Sequence, residues 1–213
     1  MNSKQVVVAV AAFAVLAAAF FVWRRSSGPA VNLRPSTAAG EVLADEVGRL
    51  LGSAGKVVII GREVSRQGLD ATGECVASFT AALQRRPNLK LAATEWIPRS
   101  PAAIMDMGAI SSEQLLAVAG KNPDARVLVV FAGLPPYSAQ LANELTARSV
   151  KLVAVCGYGP TVRRWLESKS LAVAAVPRFD SPPADAPKPK TAREWFEREF
   201  QLVTPENVAS LPY

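Results

Sequence analysis

The chain has 213 residues, of which 50% are hydrophobic, 24 are lysine or arginine and 18 are aspartate or glutamate; it has two cysteines and no histidine. This length fits one compact domain with appendages, and the hydrophobic fraction excludes a chain that is disordered throughout. Because histidine is the commonest acid–base group and metal ligand at neutral pH, its absence weighs against catalysis, and no cofactor and no metal site are predicted.

The first predicted element is an apolar segment from residue 6 to residue 23. It reads VVVAVAAFAVLAAAFFVW and lies between Lys4 and the pair Arg24-Arg25. A helix of this length, at about 1.5 Å per residue, approaches the hydrocarbon thickness of a bilayer. We therefore predict an uncleaved single-pass anchor. A cleaved signal peptide is the alternative, but Trp-Arg-Arg follows the segment where small residues would favour cleavage.

Positive charge is concentrated around this segment. Residues 1–40 carry +4 of the net charge of +6, and the rest of the chain is nearly balanced. The remaining basic clusters are the pairs Arg85-Arg86 and Arg163-Arg164, and Lys188 with Lys190. The two arginine pairs fall in predicted amphipathic helices, where charged side chains face solvent, so no nucleic-acid partner is predicted. The predicted partner of residues 6–23 is the lipid bilayer.

Short apolar runs and amphipathic segments alternate after this region. The apolar runs predict buried strands at 56–61, 89–94, 126–131, 151–156 and 171–176. The amphipathic segments predict helices at 41–51, 73–86, 111–120, 138–148, 161–168 and 191–200. Because parallel neighbours need helical crossovers, this order predicts an α/β fold with one doubly wound, mainly parallel, five-stranded sheet.

Composition divides the chain into six predicted parts. They are a tail at 1–5, the anchor at 6–23, a flexible tether at 24–40, the α/β domain at 41–180, a proline-rich hinge at 181–190, and a C-terminal helix and tail at 191–213 that pack on the domain.

Two motifs invite a chemical interpretation. Residues 157–161, Gly-Tyr-Gly-Pro-Thr, join a predicted strand to a helix, where backbone amides can hold an anion. A tight turn with Pro160 at the first helical position explains the same residues, and we favour it. Cys75 and Cys156 form no metal-binding pair; buried free thiols are favoured, and a disulfide stays open.

The predicted strand order places the candidate ligand site. In open α/β sheets, ligands bind beyond the carboxyl ends of the strands, where the strand order reverses. The residues that the sequence places there are Gly61, Arg62, Glu63, Gly133, Leu134, Tyr137 and Gly157. A polar cleft would indicate a small polar ligand, whereas a flat apolar patch would indicate a protein partner.

Residues 122–133, NPDARVLVVFAG, followed by KLVAV at 151–155, resemble one lobe of the periplasmic sugar-binding proteins, the type 1 substrate-binding proteins. The ending FQLVTPENV at 200–208 is similar to the closing strand and tail of that family. The resemblance covers about residues 55–210. It implies a fold like one lobe of these proteins, similar to flavodoxin, and it favours a domain outside the cytoplasm, whereas the charges that flank residues 6–23 leave both orientations open.

The sequence therefore predicts a non-catalytic binding or interaction domain that one N-terminal helix anchors to a membrane. Two alternatives stay open. A membrane-anchored enzyme with carboxylate or serine chemistry would need two polar groups with perturbed pKa values in one cleft. A structural subunit of an envelope complex would instead present a large apolar face.

Overall fold

The computed structural model describes residues 32–52, 54–66, 70–98, 109–157, 159–180 and 186–211. No helix in these ranges is long and apolar enough to cross a membrane. The predicted anchor at 6–23 lies outside the described residues, and so do residues 181–185 of the predicted hinge.

Strands and helices alternate along the chain. The strands are β1 (Gly55–Arg62), β2 (Leu89–Ile97), β3 (Ala125–Val130), β4 (Lys151–Val155), β5 (Leu171–Pro177) and β6 (Phe200–Val203). The helices are α1 (Arg34–Leu51), α2 (Ala71–Gln84), α3 (Ser112–Lys121), α4 (Ala139–Ala147), α5 (Pro160–Glu167) and α6 (Ala192–Glu199). Short 3-10 helices follow β1 at Glu63–Ser65 and β6 at Val208–Ser210.

The strands form one sheet in the order β2-β1-β3-β4-β5-β6. The pairs among β1 to β5 are parallel, and β6 runs antiparallel to β5. The predicted α/β class with a mainly parallel sheet is confirmed, whereas the predicted number of five strands is wrong. The sixth strand has four residues and starts where α6 ends, so it is too short for a periodic pattern; the resemblance of residues 200–208 to a closing strand pointed to it, but the predicted number of strands did not include it.

Helices cover both faces of the sheet, and each face has its own apolar core. Val57 and Ile59 of β1 pack with residues of α1, α2 and α6, while Val58 and Ile60 pack with residues of α3, α4 and α5. Because successive side chains of a strand point to opposite faces, a strand covered on both sides needs apolar residues at every position. This requirement explains the unbroken apolar runs of the sequence.

The first helix begins earlier than predicted. It starts at Arg34 rather than at residue 41, so the second part of the predicted tether at 24–40 is helical. Pro35 lies in the first turn, where its missing N–H costs no hydrogen bond. Ala38, Ala39 and Gly40 are buried against the neighbouring elements. Their small side chains give no apolar period, and this region therefore resembled a linker in the sequence.

The basic pair at the end of α2 binds acidic side chains of α1. Arg85 lies 3.5 Å from Glu41, and Arg86 forms an ion pair with Asp45. Arg163 of α5 likewise forms an ion pair with Glu167 of the same helix, with 3.0 Å between Nε and Oε1. These arginines therefore neutralise carboxylates on the surfaces of the helices. This agrees with the expectation that the arginine pairs lie on solvent-exposed helical faces.

Candidate functional site

The carboxyl ends of β1, β3 and β4 adjoin in the sheet and carry most of the predicted ligand residues. Gly61 and Arg62 end β1, while Gly133 and Gly157 follow β3 and β4. The Arg62 guanidinium donates a hydrogen bond from Nη2 to the Ala132 carbonyl at 2.6 Å. This bond crosses from β1 to the turn after β3, the place where the strand order reverses.

The turn after β3 is fixed by several contacts. Gly133 has a φ of 85°, a conformation that strongly favours glycine, and its carbonyl accepts a hydrogen bond from the Ile110 amide at 3.3 Å. Leu134 is buried in the core beside α3, α4 and α5. The Pro135 carbonyl accepts a hydrogen bond from the Trp165 indole at 3.0 Å. The buried side chain of Leu134 and the hydrogen bond to Pro135 therefore attach the turn to the core.

Tyr137 belongs to the α5 side of this turn. Its ring meets Trp165 edge to face, with 5.4 Å between the ring centroids and 85° between the planes. It also lines a cavity of about 390 Å³ together with Arg164, Glu167 and Ser168. The structure thus groups Tyr137 with the surface of α5, whereas Arg62 and Gly133 meet at the edge of the sheet.

Beside Gly61 lies Trp96, a residue of β2 that the sequence analysis did not single out. The two residues are partners in the β1–β2 pairing, and a Cβ added at Gly61 would lie 2.6 Å from Cζ3 of Trp96. The glycine therefore makes room for the indole. A prediction of β2 that ended at residue 94 excluded Trp96, although an aromatic residue two positions past that end was a usable signal.

The end of β5 adds a charged pair and an exposed aromatic ring. Arg178 binds Asp180 through Nε and Nη2, both at 3.0 Å, and donates from Nη1 to the Glu197 carbonyl at 3.1 Å. The hydrogen bond from Arg178 holds the pKa of Asp180 below its usual value. Phe179 is 53% exposed. Arg178, Phe179 and Asp180 lie just past the end of β5, and no motif of the sequence marked them.

Both cysteines are free in the structure. Cys156 follows β4, and Cys75 lies in α2 with its thiol donating to the Ser36 carbonyl at 3.1 Å. Desolvation raises the pKa of each thiol to about 12. Because the thiolate is the nucleophile, such thiols are poorly reactive at neutral pH.

The edge of the sheet offers groups for binding. Val64 follows β1 and Phe179 follows β5, and they are 64% and 53% exposed; β3 and β4 lie between these two strands. Within the described ranges, no cluster of acidic or cysteine residues is arranged to hold a metal ion.

Solved structures with a similar fold were found among solute-binding proteins of ABC transporters. One from Agrobacterium vitis, bound with alpha-D-tagatopyranose, has a TM-score of 0.56 and 18% identity over 82% of this chain and 58% of its own. One from Burkholderia graminis, in complex with D-arabinose, has a TM-score of 0.60 and 16% identity over 82% and 61%. An arabinose-binding protein from Geobacillus stearothermophilus has a TM-score of 0.58 and 16% identity over 84% and 63%.

These likenesses define the fold. No protein-family model matches the sequence, and no significantly similar curated protein was found. The chain spans less than two thirds of the length of the three solute-binding proteins. The predicted resemblance is confirmed at the level of structure: a lobe-sized region of this chain has the α/β fold of the solute-binding proteins of sugar ABC transporters.

Proposed function

We propose that this chain is a non-catalytic domain that binds a small sugar-like ligand at the carboxyl edge of its sheet. The observation that carries the proposal is the placement of Arg62, whose guanidinium bridges β1 and the turn after β3 at the reversal of strand order. Ligands of open α/β sheets bind in the crevice at this position. The sugars bound to two of the proteins with a similar fold support the same class of ligand.

The residues around Arg62 supply the chemistry that a sugar needs. Sugar hydroxyls both donate and accept hydrogen bonds, and the exposed carboxylate of Glu63 offers acceptors beside the half-buried guanidinium of Arg62. Gly157 is exposed, and no atom lies within 4 Å of the position that a Cβ would take there, so a ligand can approach the backbone closely. The exposed side chain of Val64, two residues after Arg62, provides apolar surface for the carbon skeleton of the ligand.

Replacing Arg62 by glutamine tests the proposal. We expect the affinity of the full chain for D-arabinose or D-tagatose to fall by about tenfold or more, since a hydrogen bond from a charged group is lost. Isothermal titration calorimetry measures the affinity, and thermal unfolding followed by circular dichroism checks that the fold is intact. The matched control is Arg126→Gln, an exposed arginine near the amino end of β3. Equal affinities for Arg62→Gln, the control and the parent would contradict the assigned site.

We further propose that residues 6–23 anchor this domain to a membrane and that the domain lies outside the cytoplasm. The apolar segment with its basic flanks supports the anchor. The fold of the solute-binding proteins of transporters supports the location.

Cysteine labelling tests this location. We expect a Ser27→Cys variant to react with a membrane-impermeant maleimide in intact cells. The native cysteines contribute little background because both thiols have a pKa raised to about 12. The parent chain serves as the control for that background. Labelling of the variant only after cell lysis would place the domain in the cytoplasm.

A further inference from the structure

A second cavity lies at the opposite, amino edge of the sheet and has a volume of about 390 Å³. Three cations from three separate elements line it: Arg49 in α1, Lys151 at the start of β4 and Lys169 in the turn before β5. Side chains that are far apart in the sequence thus converge on one opening. This opening lies at the far end of the strands from Arg62.

The two lysines retain most of their hydrogen-bonding capacity. Lys151 donates from Nζ to the Lys169 carbonyl at 3.0 Å, which uses one of its three protons. Within the described part of the chain, neither lysine forms an ion pair with a carboxylate. Lys169 has a φ of 60°, which is uncommon for a residue other than glycine. Lys151 from β4 and Lys169 from the turn before β5 therefore line the cavity with hydrogen-bond donors to spare.

The arginine of the cavity is already paired. Arg49 forms an ion pair with Glu46, whose side chain is almost fully buried. A lysine ammonium acts as a point charge that suits phosphate oxygens, and a phosphate group carries about −1.5 to −2 charge on several acceptor oxygens, which more than one ammonium group can share. The donors that remain are the two ammonium groups, and a phosphate offers them more negative charge and more acceptor oxygens than a single carboxylate.

We propose that the cavity lined by Arg49, Lys151 and Lys169 binds a phosphate group. Leu50, Ala172 and Val173 line the same cavity and offer apolar surface for the organic part of the ligand. The phosphate can belong to a soluble phosphorylated molecule or to a lipid headgroup, and both present the same tetrahedral anion. This site is independent of the proposed sugar site at the other edge of the sheet.

Replacing Glu206 tests the proposal because it should change the phosphate affinity in the direction opposite to replacing Lys151. This exposed carboxylate lines the cavity, and a hydrogen bond from Thr204, with Lys169 contributing less, lowers its pKa. Glu206 therefore stays ionised at neutral pH, where it repels a phosphate and competes for Lys169. Removing its charge by Glu206→Gln is expected to strengthen phosphate binding, whereas Lys151→Gln is expected to weaken it. A merely structural role of the cavity would not produce both changes.

Nuclear magnetic resonance of the full chain in nanodiscs provides the measurement. One arm titrates inorganic phosphate into phosphatidylcholine nanodiscs, and the other compares nanodiscs with and without phosphatidic acid. We expect saturable shifts of the Lys151 and Lys169 amides in at least one arm; the first arm identifies a soluble phosphate, and the second identifies a headgroup. Lys151→Gln should weaken binding about tenfold, and the exposed control Lys90→Gln should leave it unchanged.

The proposal fails if neither arm shifts these amides saturably. It also fails if Lys90→Gln weakens binding as much as Lys151→Gln, which would indicate general attraction of anions to the basic chain. Unaltered binding in Glu206→Gln would likewise exclude a phosphate beside that carboxylate. D-Arabinose binding by the same variants should be unchanged, because Arg62 lies at the opposite edge.

Discussion

Replacing Gly40 by alanine is expected to lower the free energy of unfolding by about 3 kcal/mol, at the upper end of the usual cost of overpacking. A Cβ at this position of α1 would lie 2.0 Å from Oγ of Ser78, 2.4 Å from the Cys75 carbonyl oxygen and 2.7 Å from the Phe79 amide nitrogen. Two of these atoms belong to the backbone of α2, so rotation of a side chain cannot relieve the overlap. The two helices must move apart.

The matched control for this substitution is Gly120→Ala. Gly120 lies in α3, and no atom would lie within 4 Å of its added Cβ. Because alanine has the higher helix propensity, this control should raise the free energy of unfolding by up to about 1 kcal/mol. Urea unfolding measures both variants. Equal effects of the two substitutions would contradict the close approach of α1 and α2.

Replacing Trp165 by alanine is expected to cost about 3–5 kcal/mol of the free energy of unfolding, the range for large aromatic side chains in a core. The side chain is completely buried, its ring packs against Tyr137, and its indole donates to the Pro135 carbonyl. Such a loss is a large part of the stability of a typical domain, which is about 5–15 kcal/mol. We expect a correspondingly lower midpoint of unfolding, measured by urea titration.

The Trp165→Phe variant separates the hydrogen bond from the ring. It keeps most of the apolar volume but leaves the buried Pro135 carbonyl without its donor, which costs about 1–3 kcal/mol. Because that carbonyl belongs to the turn after β3, ligand affinity should fall in this variant while the fold remains. A Trp165→Ala variant that lost less than about 1 kcal/mol would contradict the core position of this residue.

The order of the elements followed from the sequence because the physical signals were local. Strands covered on both faces need continuous apolar runs, and the glycines and prolines that follow them mark their ends. The run at 126–131 corresponds to β3 within one residue at each end. By contrast, β2 extends to Ile97, because Glu95 and Trp96 continue the pairing with β1 despite their mixed polarity.

Proximity at the candidate site could be predicted only where it follows from strand order. Arg62 and the turn at Gly133 adjoin because β1 and β3 are neighbours, and the sequence pattern contains that information. The direction of the Tyr137 ring depends on how the turn packs against Trp165. The spacing of residues along the sequence does not encode that packing. The amino-edge cavity was missed because Arg49, Lys151 and Lys169 meet only through tertiary packing.

The central claim is that the carboxyl edge of the sheet binds a sugar-like ligand. Amide shift mapping of the full chain in nanodiscs during a titration with D-arabinose or D-tagatose tests it most directly. We predict saturable shifts at Arg62, Gly133 and Gly157, with no shifts at Lys151 or Lys169. Shifts confined to the amino edge, or no saturable shift with either sugar, would contradict the account.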